Sequence, residues 1–502
     1  MDMKQMHEKP PYGMIAILFI GAFVAFLNNT LLNVALPTIM DEFSVKPSVV
    51  QWLTTGYMLV NGILIPASAF FVQKFTNRKL FITAMSLFTV GTLLAMLAPS
   101  FGVLVAARMI QASGSAMMMP LLMNIMLVAF PIERRGTAMG VFGLVMITAP
   151  AIGPTLSGWI VEHYTWRTLF GIILPFAILT LVYAFFKLRN ITPNRDMKLD
   201  FLSLVLSSIG FGGLLYGFSS AGDMGWGDPL VYGTIIAGAV GLVLFIVRQL
   251  LMDDPMLDFR IYKYPMFALS SAISIVLSIA MFSGMILTPL YVQTIREISP
   301  FHSGILMLPG AIVMGIMSPI TGRLFDKYGP KMLAIVGLVI TTVSTYYLSK
   351  LGMDSGYYYI MFIYTIRMFG ISMVMMPVMT NGLNQLPMVS NPHGTAMNNT
   401  LQQVSGAIGS AVLLTIMTKR MESAGANLFA EAQASGNAPT TAEGLAKLQE
   451  QLGAQAMLDG IQFSFFISTI VALVALVLTF FVKRVTQPTR EKSFAQSEEN
   501  EK

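Results

Sequence analysis

Apolar and polar positions along the chain alternate in long blocks. Uncharged stretches of about 20 residues, long enough to cross a bilayer as helices, are separated by short segments rich in charge, Gly, Pro and Asn. Fourteen such windows can be traced, at about 14–36, 48–70, 79–98, 101–126, 137–161, 168–188, 201–220, 230–250, 264–292, 302–321, 331–349, 357–382, 397–417 and 461–482. A backbone in hydrocarbon must satisfy its own hydrogen bonds, so these blocks predict an all-α membrane protein. One polar insert, 418–460, breaks the rhythm; its Ala, Glu and Gln predict one or two short surface helices outside the membrane.

Composition supports this reading. Of the 502 residues 55% are hydrophobic and 11% charged, and the mean hydropathy is +0.69. A water-soluble chain of this size carries about 25% charge. With no Cys, thiol and disulfide chemistry are excluded, and four scattered His give no metal-ligand spacing. The net charge of +6 does not point to nucleic acid, because the basic residues sit singly or in short groups between apolar runs. They also set the orientation: with both termini cytoplasmic, 22 of the 31 Lys and Arg fall on the inside and seven on the outside.

The two left over, Arg108 and Arg367, lie within apolar stretches and open an internal repeat. RMIQASGSAMMMP at 108–120 matches RMFGISMVMMP at 367–377, and each is followed by Gly-Thr-Ala-Met, at 136–139 and 394–397. The loops FTNRK at 75–79 and KYGPK at 327–331 occupy matching places. Six spans plus six are therefore expected, with spans seven and eight inserted: 1–190, 191–260 and 261–485, then a cytoplasmic tail at 486–502. Parallel repeats around a central path are a transporter design.

Candidate chemistry follows from the cost of polarity in lipid. An intramembrane guanidinium must face the protein interior; Gln111, one turn from Arg108, can share its network. For both arginines the alternatives are gating, proton handling or substrate contact on one side and a structural clamp that fastens helices on the other. Asn28, Asn29 and Asn33 in the first span, with Gln402 and Gln403 in the thirteenth, offer neutral amides that line a cavity or join helices. Pro150, Gly153, Pro154 and Gly158 shape the fifth span as a helix seam. Trp52, Tyr57, Met118, Met119, Met375 and Met376 are candidates for a soft apolar pocket, methionine adapting its shape to varied ligands. No Asp or Glu stands well inside a predicted span, and no GxxxxGK[ST] loop indicates direct ATP drive.

Taken together these segments resemble the major facilitator superfamily, and within it the fourteen-span drug:proton antiporters that include the EmrB/QacA-type multidrug exporters. The resemblance is carried by NNTLLNVALP at 28–37, RMIQASG at 108–114, GPTLSG at 153–158, LDFLSLVLSSIGFGGLLYG at 199–217 with Gly225-Trp226, PMLDFRIY at 255–262 and GRLFDKYGPK at 322–331. It implies two six-helix bundles plus two helices, a bacterial cytoplasmic membrane, and export of a lipophilic compound in exchange for protons. It implies no enzyme activity and no cofactor; membrane lipids are the expected surroundings, and a monomer is expected to suffice. By the same resemblance Arg108 would serve proton transfer, and Gly322, Asp326, Gly329 and Lys331 an inward gate. Two departures stand out. Asn28 occupies a place where the family commonly has Asp, and VQKFTNRK at 72–79 lacks the Asp and Gly of its partner GRLFDKYGPK. The first leaves three options: coupling through another acid, loss of coupling in a natural or engineered variant, or a neutral, anionic or lipid-like substrate.

Overall fold

The computed structural model describes residues 11–45, 47–50, 52–191, 199–434 and 442–485, apart from some side chains within helices. The tail 486–502 lies outside the described residues, as do the side chains of Asn33, Pro150 and Pro154.

The long helices are α1 (Tyr12–Phe43), α2 (Trp52–Lys74), α3 (Asn77–Met96), α4 (Phe101–Ala129), α5 (Arg135–His163), α6 (Arg167–Lys187), α7 (Phe201–Met224), α8 (Pro229–Leu251), α9 (Pro265–Thr294), α10 (Pro300–Tyr328), α11 (Pro330–Leu348), α12 (Tyr357–Ser372), α13 (Met375–Asn384), α14 (Asn391–Ala434) and α15 (Ala442–Thr479). Among the described residues thirteen spans, α12 and α13 counting as one, are long and apolar enough to cross a membrane. Helix α5, with 29 residues, is about 43 Å long at 1.5 Å per residue, enough for the same passage. With it the passages among the described residues number fourteen.

Helices α1 to α6 pack into one bundle and α9 to α15 into a second. The inserted α7 and α8 pair with each other, and α7 lies against both α2 and α14. Burial separates core from periphery: 83% of the apolar window of α4 is buried but only 22% of that of α8, so α4 is an interior helix and α8 faces lipid. Helix starts follow local chemistry. Pro229, Pro265, Pro300 and Pro330 stand at first-turn positions that need no amide donor, and Asp228 and Ser299 cap their helices.

Two elements differ from the sequence expectation. The insert 418–460 is not a set of separate surface helices: α14 runs on to Ala434 and α15 starts at Ala442, so spans thirteen and fourteen extend outward as a helical hairpin. Arg420 Nε meets Asp459 at 2.7 Å across it, and the Ala- and Glu-rich sequence continues the helix once a buried span has nucleated it. The twelfth span is broken between α12 and α13. Pro377 has no N–H for the carbonyl of Met373, and the chain there tightens into three-residue turns, Met373 N–H to Gly370 O at 3.2 Å and Val374 N–H to Ile371 O at 3.0 Å. Its repeat partner Pro120 is accommodated in an unbroken α4.

Candidate functional site

Both intramembrane arginines are fully buried, Arg108 at 1% and Arg367 at 0% exposure. Arg108 Nη1 donates to Gln111 Oε1 at 2.6 Å, and Gln111 Nε2 donates to Thr92 Oγ1 at 2.8 Å on α3. The guanidinium also lies 4.3 Å from the centroid of the Tyr57 ring on α2, whose hydroxyl is 2.6 Å from Ser115 Oγ. A ring quadrupole and a chain of neutral dipoles stand in place of a carboxylate; the salt bridges among the described residues do not include either arginine. Arg367 donates from Nε to Thr345 Oγ1 at 3.0 Å on α11 and from Nη2 to the Ala280 carbonyl on α9, and it fills the space beside Gly284. The repeat is thus visible as one contact made twice, an arginine of the fourth span bonded to a threonine of the third, through Gln111 in the first bundle and directly in the second. Each arginine ties together three helices of its own bundle.

Within the second bundle, Ser274, Leu277, Ser278 and Met281 of α9 with Met375 of α13 and Gln402 of α14 line a small, mainly apolar cavity. The serines were not among the sequence candidates, although Ser270, Ser274 and Ser278 recur every fourth residue and therefore share a helix face. Asn28 is 2% exposed and its Nδ2 has no hydrogen-bond partner. Asn29 and Gln403 are half-buried, and Gln402 Nε2 makes only a weak contact with Met379 Sδ at 3.8 Å. Met118 and Met119 are buried in the large core, while Met376 packs against Gly143. Trp52 is 39% exposed and lies against Tyr216 of α7 with the rings tilted, 6.0 Å between centroids, so it meets the inserted helix instead of that cavity.

Two seams join the bundles, α5 with α10 and α2 with α14. At the cytoplasmic end of the first, Asp326 accepts from Gly136 N–H at 2.9 Å, Thr137 N–H at 2.8 Å and the Thr137 hydroxyl at 2.7 Å. A carboxylate on the free amides of a helix N-terminus is favoured by the helix dipole as well as by the bonds. Gly136 and Gly322 let the backbones touch: a Cβ on Gly136 would lie 2.6 Å from Gly322 O, and one on Gly322 would collide with Gly136 O. Ser318 donates to Gly140 O at 2.8 Å, one turn deeper. Gly329 sits at φ 81°, and Arg484 packs beside it while donating to Asp326 O at 2.6 Å. Lys331 is exposed. Toward the outside, α5 turns to α1, where Gly153 abuts Thr30 and Ser157 donates to Leu31 O at 2.5 Å; Gly158 faces open space. The outer half of α10 meanwhile packs Gly310 on Tyr364. The polar bonds of this seam are therefore at its cytoplasmic end.

Residues 18–410 match the family model described as Major Facilitator Superfamily. The chain belongs to that superfamily. It is a multi-pass membrane transporter, and not an enzyme. It is 52% identical over 417 residues to the uncharacterized MFS-type transporter YhcA of Bacillus subtilis (strain 168), covering 83% of this chain and 78% of that one. Identity to the lincomycin resistance protein LmrB of the same organism is 45%, over 94% and 95% of the two chains. The crystal structure of the human organic anion transporter MFSD10 (TETRAN) superposes with a TM-score of 0.62 over 92% of this chain and 99% of that one, at 14% identity, a likeness of fold. Its relatives thus include a resistance transporter of the superfamily.

Proposed function

We propose that this transporter exports lipophilic or amphiphilic antimicrobial compounds by alternating access, with inward proton movement as the driving force. The observation that carries the reading is a polar latch between the two bundles at only the cytoplasmic end of the α5–α10 seam, in a fold whose second bundle holds a small cavity lined by Ser, Met and Gln. A rocking motion that releases Asp326 and closes the outer halves would open the path between the bundles to each side in turn. The family's multidrug and lincomycin resistance proteins support the substrate class. Protein reconstituted in liposomes should accumulate lincomycin or a lipophilic dye under a pH gradient; failure to move any member of such a panel under either gradient polarity would refute the reading.

The second reading, export of lipids or amphiphilic metabolites without proton coupling, is favoured by Asn28, an amide where the resemblance leads one to expect an acid. Transport with simultaneous pH recording separates the two, and Asn28→Asp tests the coupling position. Proton movement gained only in the variant would mark Asn28 as that position, and equal movement in both would place coupling elsewhere.

A further inference from the structure

At the second seam the repeat builds a different latch. In the first seam Asp326, near the end of α10, grips Gly136 and Thr137, the start of the Gly-Thr-Ala-Met segment. The matching elements of the second seam are the end of α2, where VQKFTNRK carries no acid, and the start of α14, where Gly394-Thr395-Ala396-Met397 is preceded by His393. The contact is made there by the imidazole: His393 Nε2 lies 3.0 Å from Gln73 Nε2 on α2, and His393 Nδ1 accepts from Asp258 N–H at 3.1 Å, in the segment after the inserted helices. His393 is 6% exposed. One ring thus touches the first bundle and the insert while belonging to the second.

The protonation state of this contact follows from its partners. Because Nδ1 accepts an amide, the ring is neutral and carries its proton on Nε2. That N–H faces Gln73, whose Nε2 already donates to Ala69 O at 3.0 Å and whose Oε1 is buried without a partner. A half-turn of the amide would match the ring but set two oxygens together at Ala69, so one mismatch persists in either arrangement. Asp326 has three matched bonds, and this junction is accordingly the weaker of the two.

We propose that His393 is a cytoplasmic proton switch for the α2–α14 seam, closed when neutral and released when protonated. A second proton places N–H against the Asp258 N–H and breaks that bond. It also creates a cation beside a cleft of about 120 Å³ lined by Asp253, Asp254, Pro255, Asp258, Val389 and Ser390, which gives the ring a new set of partners. Asp253, Asp254 and Val389 are exposed at its mouth, so protons reach it from the cytoplasm. Among the described residues, the other charges near the junction have partners of their own. Lys74 lies over the Phe70 ring, Arg260 donates to Leu250 O and Met252 O, the Asp258 carboxylate accepts from Arg260 N–H, and α14 carries no further charge before Lys419. Arg135, at the neighbouring end of α5, is bound to Asn384 and Phe130 O. A rise in cytoplasmic acidity then favours the inward-open state. The proposal rests on the alternating-access reading, but its measurement does not need a substrate.

Since the chain lacks Cys, spin labels can be placed on Lys79→Cys and Lys331→Cys, exposed positions at the cytoplasmic ends of the two bundles, and their separation measured by electron–electron resonance in nanodiscs. In the parent the distance should lengthen as the pH falls from about 8 to about 5, the range in which histidine ordinarily changes charge. His393→Asn keeps an acceptor near the Nδ1 position and cannot take a charge; it should hold the short distance throughout. His393→Gln, which keeps the reach to Gln73, provides the second uncharged variant if the first does not reproduce the parent distance at about pH 8. No lengthening in the parent, or the same lengthening in the uncharged variant, overturns the proposal, and the latter would assign the response to Asp326. Lincomycin uptake at fixed pH reads the transport reading separately: its absence refutes export and leaves the distance step intact.

Discussion

Asp326 and Thr137 meet through two bonds at once, backbone N–H at 2.8 Å and hydroxyl at 2.7 Å, both on the same carboxylate oxygen. Each belongs to a different bundle, so this pair reports directly on whether the cytoplasmic end is fastened.

Asp326→Asn removes the charge and turns an amide group toward donors it cannot accept from. Hydrogen bonds to a charged group contribute about 1.5–3 kcal/mol each, partly redundantly, so the population of inward-open molecules should rise by at least about tenfold. Labelling of a cysteine placed at Ser318 by a water-soluble reagent added from the cytoplasmic side should speed up accordingly; an unchanged rate would show that the pair does not hold the seam.

Gly322→Ala should act at the same place by steric means. The new methyl collides with the Gly136 carbonyl, and overpacking of this kind costs about 1–3 kcal/mol. Gly158→Ala, which meets open space, is its control. Cytoplasmic labelling should rise in the first variant and stay at parent level in the second.

For the buried cations, Thr92→Val deprives the Gln111 amide of its acceptor and should lower stability by about 1 kcal/mol, while Arg108→Lys, which cannot hold Gln111 and cover Tyr57 together, should lose about 2–3 kcal/mol. Denaturant titrations in detergent measure both. If Arg108→Lys unfolds like the parent yet transports poorly, the arginine serves transport more than architecture.

On the inserted pair, Asp200 accepts two bonds from Arg248, at 2.6 and 3.0 Å, and these hold its carboxyl well down, at about 2 against an ordinary value of 3.8. A depressed acid stabilises the folded state fully above its unfolded value and loses that contribution as the pH falls through the folded one. The α7–α8 hairpin should therefore loosen between about pH 4 and about pH 2, seen as faster amide exchange near Ser203, and Asp200→Asn should show the loosened exchange at neutral pH.

Much of this architecture was legible because lipid enforces it. The apolar windows gave the spans, and the spacing of Arg108 and Gln111 gave their shared network, since both follow from helical period and the cost of polarity in hydrocarbon. The arginine–threonine contact was foreshadowed only by the repeat. The hairpin of α14 and α15 was hidden because a polar helix that continues a span looks, in composition, like a surface loop. The place of Trp52 depended on where α7 docks, a tertiary matter no window reports. His393 escaped notice for the reason that lone histidines usually do: its meaning comes from Gln73, 320 residues away, and from the amide of Asp258.

The outward hairpin has a mechanical consequence. A helix of 44 residues is about 66 Å long, roughly twice the hydrocarbon thickness, and in α14 it runs without a break from the His393 junction to beyond the outer surface. Such a rod behaves as a lever whose exterior arm, 418–434, is about 25 Å long against about 40 Å for 391–417. An antibody fragment that clamped the exterior arm would resist the tilt of the entire second bundle without touching the cavity, and bending at the tip would be transmitted to the cytoplasmic junction at the other end.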